Sequence, residues 1–254
     1  MSPRSTSSTT RRTASADTRR TPRAARAGLF VTFEGIEGSG KSSQCRTLAQ
    51  WLRTQGYTVL ETREPGGTKV AELLRGALLE RRQEPITPWA EALIVLAARS
   101  QHVEHVIAPA LRRGTIVLCD RYADSTIAYQ GYGRGLDKPL LTSLHRVSAH
   151  GLTPDLTFVL DLPVEMGLQR RHHNQLEINR IDAEAISFHA KVRRGFRTLA
   201  RQHPRRIRLI DGRRAPEPIT LDLQEALVHA MVGRRLAQQA PDSTATTTST
   251  ERRT

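Results

Sequence analysis

Leu29-Phe30-Val31-Thr32-Phe33 and, after one acid, Gly35-Ile36-Glu37-Gly38-Ser39-Gly40-Lys41-Ser42 decide the fold of this chain. The first run is short and apolar and reads as a buried strand. The second fits the pattern G-x-x-x-x-G-K-[ST]. Behind it, apolar residues at Leu48, Ala49 and Leu52 predict a helix over 41–55 that ends near Gly56. Strand, glycine-rich turn and helix in this order have a specific use. Glycines let successive backbone N–H groups converge on a phosphate, and the helix N-terminus adds partial positive charge at the same point. Lys41 would then reach the β- and γ-phosphates of a nucleoside triphosphate, and Ser42 would ligate Mg²⁺.

The same alternation continues outward. Thr58-Val59-Leu60, Thr115 to Asp120, Leu156 to Asp161 and Ile207 to Asp211 read as four further strands. Val70 to Leu79 reads as a helix with Leu73, Leu74, Ala77 and Leu78 on one face. Thr87-Pro88 opens another, with Thr as cap and Pro at the first position. Pro163 opens a third, and Ile219 to Val232 forms the last. Five short apolar strands separated by helices argue for an α/β protein with a parallel sheet covered on both faces. In such sheets, ligands bind beyond the carboxyl ends of the strands.

With 254 residues, 38% of them hydrophobic, the chain can bury the core of one large α/β domain or two small ones. The formal net charge is +14, but it is unevenly placed. Residues 1–27 hold seven Arg and one Asp, eleven Ser/Thr, and no Val, Ile, Leu, Phe, Tyr or Trp. Such a segment cannot offset the entropy of ordering and reads as a disordered basic tail; the polar C-terminal stretch 234–254 is assigned the same way. Nucleic-acid binding is therefore not expected beyond weak nonspecific contact by the basic tail. The longest apolar runs, such as Leu93 to Ala98, fall short of the roughly 18 residues a membrane span needs. Two cysteines, Cys45 and Cys119, exclude a disulfide scaffold and a Cys-rich zinc site, and they suit a reducing compartment as two small buried residues. A cytoplasmic location follows, with an organelle as the alternative if the Arg-rich, Ser-rich, acid-poor segment 1–27 is a transit peptide.

None of the loop's variable positions, Ile36, Glu37, Gly38 and Ser39, is basic. Phosphoryl transfer rests on neutralising charge, so a further cation must come from elsewhere in the chain. Glu37 is an acid where phosphates repel it. It can accept a hydroxyl on a second substrate, contact the metal through water, or point to solvent. Asp120-Arg121 ends the third predicted strand. Its carboxylate suits Mg²⁺ or a helix cap, and Arg121 suits a phosphate by paired hydrogen bonds.

FEGIEGSGKSSQ (33–44), TREPGGT (62–68), AAR (97–99), DRYADSTIAYQGYGRG (120–135), PDLTFVLDLP (154–163) and NRID (179–182) occur in this order. Together they resemble the bacterial-type thymidylate kinases, P-loop enzymes that phosphorylate dTMP with ATP and Mg²⁺. The resemblance spans about 28–233 and implies a three-layer P-loop kinase fold: a five-stranded parallel sheet with helices on both faces, a short lid at about 172–183, and a homodimer. It implies that Gly35 through Ser42 serve ATP and that Ser42 and Asp120 serve the metal. Arg121 and Arg63 would hold the dTMP phosphate, Arg99 the thymine carbonyl and Thr126 the ring nitrogen. Tyr129 would sit beside the deoxyribose, with Ser125 and Gln130 in the same pocket. Glu37 would meet the sugar 3′-hydroxyl and the metal waters, and Arg180 would be the lid arginine, making Lys41, Arg121, Arg180 and Glu37 the catalytic set.

Two positions depart from the family pattern. Val95 stands where the family usually stacks a Phe on thymine, which keeps another nucleoside monophosphate open as the acceptor. Asn179 stands where an Asp more often precedes Arg180, so Arg180 is expected to be held less firmly. Two further readings concern the basic stretches. The Arg-rich segment 193–208 reads as a solvated helix face, and His172-His173 as part of a solvated basic lid. A nucleotide-dependent switch or DNA-associated ATPase would use the P-loop and the basic surface, but has no use for an arginine pocket assembled from separate segments.

Overall fold

Five strands form at the expected places: β1 (Phe30–Glu34), β2 (Val59–Arg63), β3 (Ile116–Asp120), β4 (Leu156–Asp161) and β5 (Ile207–Asp211). The computed structural model describes residues 27–81, 83–173 and 179–239. The tail 1–26, residues 240–254 and the centre of the expected lid, 174–178, lie outside them. The strands pair in parallel in the order β2-β3-β1-β4-β5.

Both faces of the sheet are buried, and the period of two along each strand sorts its side chains. Val31 and Phe33 of β1 pack with Leu118 and Phe158 under α1 (Lys41–Thr54) and the last helix. On the opposite face Phe30, Val117 and Cys119 meet Val103, Ile107, Leu111 and Tyr122. Further along that face, Val159 meets Val192, Phe196 and Leu199.

The sheet order fixes where a ligand can sit. β1 leads across β3 to β2, whereas β3 leads across β1 to β4. The two connections leave in opposite directions, and a crevice opens between the carboxyl ends of β1 and β3. The glycine-rich turn follows β1, and Asp120 ends β3.

The helices show what periodicity missed. α2 (Lys69–Leu79) is capped by Thr68, whose side chain accepts from Ala71 N. Its buried side runs through Ala71 and Leu78, while Leu73 is 75% exposed, so the expected face is rotated. The reason is tertiary: α2 packs on α3 (Pro88–His102) and turns Leu73 outward. α3 has the Thr87 cap and Pro88 start read from the sequence. It continues through a π-helical segment, Val103–Ile107, into α4 (Ala108–Arg112). α5 (Ala123–Thr126) likewise runs into a π-helical segment, Ile127–Gly133. Such widened turns occur often at functional sites, and this one carries Tyr129 and Gln130. α6 (Lys138–Ser148), α7 (Val164–His173) and α8 (Ile186–Gln202) follow. α9 (Pro216–Gln239) starts before Ile219 and passes Val232, entering the stretch assigned to a C-terminal tail.

The segment 193–208 is not simply a solvated face. Arg193 makes paired bonds to Asp161 at 2.7 and 3.0 Å. Arg206 holds buried Asp124 through Nη1 and Nη2, at 2.7 and 2.8 Å, and also reaches Thr157 Oγ1. Thr157 Oγ1 in turn bonds Thr32 Oγ1 on β1. Removing Arg206 leaves Asp124 buried without its cation, with Thr157 Oγ1 still near it. Arg206→Ala is expected to cost about 3–5 kcal/mol, lowering the thermal midpoint by roughly 10 °C, as read by calorimetry.

Candidate nucleotide-binding site

The turn after β1 takes its shape from backbone that only glycine adopts easily. Gly35, Gly38 and Gly40 have φ of 137°, 69° and 92°. Gly38 also has no room: a Cβ there would stand 1.9 Å from Gly167 O, where α7 touches the loop. Lys41, the first residue of α1, folds back to donate to Ile36 O at 2.7 Å and Ser39 Oγ at 3.2 Å. Burial pushes its ammonium down to about 8, Arg121 adds to the effect, and Asp120, Glu37 and Glu34 offset it only in part. The lysine sits in a field that an arriving polyphosphate would relieve.

Across the crevice, Ser42 Oγ donates to Asp120 Oδ2. Asp120 Oδ1 is buried with no hydrogen-bond partner. A hydroxyl and a spare carboxylate oxygen are the hard donors that Mg²⁺ takes alongside phosphates and waters, so these residues fit the ion. Among the described residues, no cluster of three His, Cys, Asp or Glu side chains could cage a metal alone.

Arg121 adopts φ of 70°, a left-handed conformation unusual for a residue with a side chain. Its guanidinium donates to Gly35 O at 3.0 Å, Ser125 Oγ at 3.3 Å and Glu37 Oε1 at 2.9 Å, and lies over the Tyr129 ring. Tyr129 also donates its hydroxyl to Glu37 Oε1, at 2.6 Å. Glu37 is thus no exposed acid. Burial pushes its carboxyl up, but Arg121, His189, Lys41 and Tyr129 together hold it well below the usual range. Below this layer, Glu34 accepts from Tyr122 N at 2.8 Å and Ser125 Oγ at 2.5 Å, anchoring the segment after β3 to β1.

Arg99 is 1% exposed, yet it reaches the cavity from α3. It donates to Glu64 Oε2 at 2.7 Å, Thr126 Oγ1 at 2.9 Å and Tyr122 O at 3.0 Å. Glu64 also meets His102 Nδ1 at 3.1 Å, and His102 Nε2 pairs with Thr62 Oγ1. A cavity of about 260 Å³ joins these groups, near the lower end, about 300 Å³, for small-molecule sites. Lys41, Ser42 and Asp120 line one end; Arg63, Arg99, Arg121, Ser125, Thr126, Tyr129 and Gln130 line the rest. Val95, Leu78 and Leu79 give it an aliphatic wall. The guanidinium of Arg63 is held by Glu72 at 2.8 and 3.1 Å.

Arg180 is not brought to this cavity. It donates to Leu78 O at 2.9 Å and Glu91 Oε2 at 2.7 Å, docking the C-terminal part of the expected lid on α2 and α3. Nor is it weakly held. Asn179 Oδ1 accepts from Ile181 N and Asp182 N, a capping turn that needs an oxygen but no charge. Buried Glu91 also takes Arg134 and Gln130.

Two cavity-lining arginines carry no motif. Arg75 on α2 donates to Pro65 O at 3.0 Å, and burial, then Arg63 beside it, pushes its guanidinium down. Arg171 near the end of α7 pairs with Asp182 at 2.8 Å. Only the turn of α2 seen in the fold brings Arg75 inward; for Arg171 the sole signal was its place at the rim of the expected lid.

A phosphate loop at the switch point of a parallel sheet, sharing one cavity with an arginine-rich pocket, defines a P-loop nucleotide kinase. The model of the family described as thymidylate kinase matches residues 33–221. A thymidylate kinase of Thermomicrobium roseum is 52% identical over 190 residues, covering 75% of this chain and 90% of its own. One of Pelotomaculum thermopropionicum is 47% identical over 199 residues, covering 78% and 92%. The crystal structure of thymidylate kinase from Ehrlichia chaffeensis superposes with a TM-score of 0.64 at 34% identity, covering 79% of this chain and 98% of that one. The chain belongs to the thymidylate kinase family.

Glu34 links stability to pH. Burial, and then the nearby charge of Asp124, raise its carboxyl to about 8. The native state therefore holds this proton between the unfolded value of about 4.5 and about 8. Its stabilisation is complete below the lower value and is lost as pH rises through the upper one. Glu34→Gln keeps the shape without the charge. The variant should match the wild type near pH 5 and exceed it at pH 9 by at least ~1 kcal/mol, measured by urea denaturation at both values.

Proposed function

We propose that the protein transfers the γ-phosphoryl group of ATP to dTMP, giving dTDP and ADP, and that the two nucleotides meet end to end in this cavity. The supporting observation is that Lys41 and Ser42 of the donor loop and Arg63, Arg75, Arg99 and Arg121 line the same space. The nucleophile is already an anionic phosphate oxygen, so no general base is needed. The work is positioning and charge compensation in a partly dehydrated site. Backbone N–H groups of Gly35 through Ser42 cradle the ATP phosphates, and Lys41 exchanges Ile36 O for them. Ser42 and Asp120 would hold Mg²⁺, which when bound neutralises charge on the β- and γ-phosphates.

Arg121, with Arg63 and Arg75, takes the dTMP phosphate. Arg99, Thr126 and Gln130 face the base, and Val95 with Leu78 and Leu79 clamps it by aliphatic contact in place of a ring. Tyr129 and Glu37 stand where the sugar would lie, with Ser125 beneath Arg121. Of the two candidates for the lid cation, Arg171 lines the cavity, while Arg180 anchors the segment behind it. Lid closure would exclude water, so that phosphate and not water is the acceptor. The exposed apolar pairs Val70 and Leu73 on α2, and Trp89 and Leu93 on α3, support a homodimer contact on these two neighbouring helices. Among the described residues no helix is long and apolar enough to cross a membrane. Cys45 and Cys119 are free and buried, in keeping with a cytoplasmic location.

A coupled ADP-release assay offering dTMP, dUMP, dCMP and dGMP separately tests reaction and acceptor together. Turnover should require an acceptor and be fastest with dTMP; equal rates without acceptor would favour an ATPase. Lys41→Ala should lose about 10³-fold or more in turnover with its circular dichroism unchanged. Arg171→Ala should lower kcat far more than it raises the KM for dTMP. Arg180→Ala should mainly lower the thermal midpoint; a kcat loss confined to Arg180→Ala would return the lid role to that residue.

A further inference from the structure

Two side chains beside the cavity, Glu37 and His189, are in ion-pair contact but are not aligned for a hydrogen bond. Glu37 Oε1 is taken twice, by Arg121 and Tyr129. Glu37 Oε2 is buried and has no hydrogen-bond partner. His189 Nδ1 lies 3.3 Å from it, close enough for an ion-pair contact but not aligned as a hydrogen bond. His189 is itself fully buried, and neither ring nitrogen has a hydrogen-bond partner. A buried imidazole with both nitrogens idle is rare, because such groups normally find partners. The helix that carries it, α8, also sets Phe188 and Phe196 edge-on against Tyr129, at 6.2 and 6.1 Å. One helix thus braces both Glu37 and the tyrosine bonded to it.

Arg121 is spent on Glu37, Gly35 O and Ser125. An acceptor phosphate must draw that guanidinium away, which strips Glu37 of its closest cation. We infer that His189 is a positioning residue that replaces it: as Arg121 turns to the phosphate, His189 donates from Nδ1 to Glu37 Oε2. The carboxylate stays in place through the exchange, and it is fixed at the sugar end of the acceptor when dTMP arrives. This rests on the placement of the dTMP phosphate at Arg121 given above.

Steady-state kinetics of the full chain test it. His189→Phe should raise the KM for dTMP about tenfold, the worth of one hydrogen bond to a charged group, and leave the KM for ATP within about twofold. His189→Asn, which restores an N–H donor near Nδ1, should recover most of the loss. In a Glu37→Gln background, His189→Phe should add little, because the two act as one unit. Additive losses, or a dTMP KM unmoved by His189→Phe, overturn the exchange. Arg121→Gln separates the two readings. If it raises the dTMP KM while His189→Phe does not, the exchange fails and the acceptor placement stands; if neither moves it, both fail. Should His189→Phe not fold, ring ¹⁵N spectra of the wild type, assigned with His189→Asn, carry the test. Added dTMP should shift the His189 Nδ1 resonance to a hydrogen-bonded N–H, and an unmoved resonance refutes the inference.

Discussion

Lys41, Arg63, Arg75 and Arg121 share one cavity, and their mutual repulsion is the constraint around which the rest is arranged. Burial and then Arg121 push Lys41 down to about 8, and burial and then Arg63 lower Arg75. The chain supplies acceptors for these cations, some charged and some neutral. Glu37 and Ser125 occupy Arg121, Glu72 occupies Arg63, and the carbonyls of Ile36 and Pro65 occupy Lys41 and Arg75. These partners hold the long side chains in place, so part of their conformational entropy is already lost.

The sheet makes this possible because it holds backbone rigidly where the cations converge. Asp120 and Arg121 leave β3 beside β1, and Glu34 on β1 bonds Tyr122 N and Ser125 Oγ across that seam. Arg206, Asp124, Thr157 and Thr32 continue the polar layer beneath. Polar networks of this kind add little to stability against an apolar alternative, but they fix one arrangement. Stability comes from the apolar clusters on the two faces of the sheet.

The fold was legible because every strand but the edge ones is buried on both faces, so each reads as a mostly apolar run closed by a carboxylate. The donor loop was legible for the same local reason: its chemistry lies in eight consecutive residues. That Arg63, Arg99 and Arg121 would line one cavity was legible only through the order of several distant motifs, since nothing near Arg99 or Arg121 alone distinguishes a cavity-facing arginine from any other. α2 shows the limit. Its apolar residues fit two faces nearly equally, and only packing on α3 turns Arg75 inward and Leu73 out. Arg180 shows the converse. Its position near the lid suggested a phosphate, but Glu91, an α3 residue without a motif, decides where it goes.

The π-helical segment Ile127–Gly133 shows why these choices are coupled. A regular helix from Ala123 onward would carry Tyr129 and Gln130 at other angles. The widened turn sets Tyr129 on Glu37 and under Arg121, and sets Gln130 on Glu91. Glu91 also holds Arg180, so the backbone irregularity that shapes the arginine-lined cavity is tied through one carboxylate to the segment that follows residue 178. Gln130 and Arg180 thus share one carboxylate, and a displacement of either side chain changes the load on the other through direct bonds, without a change in the sheet.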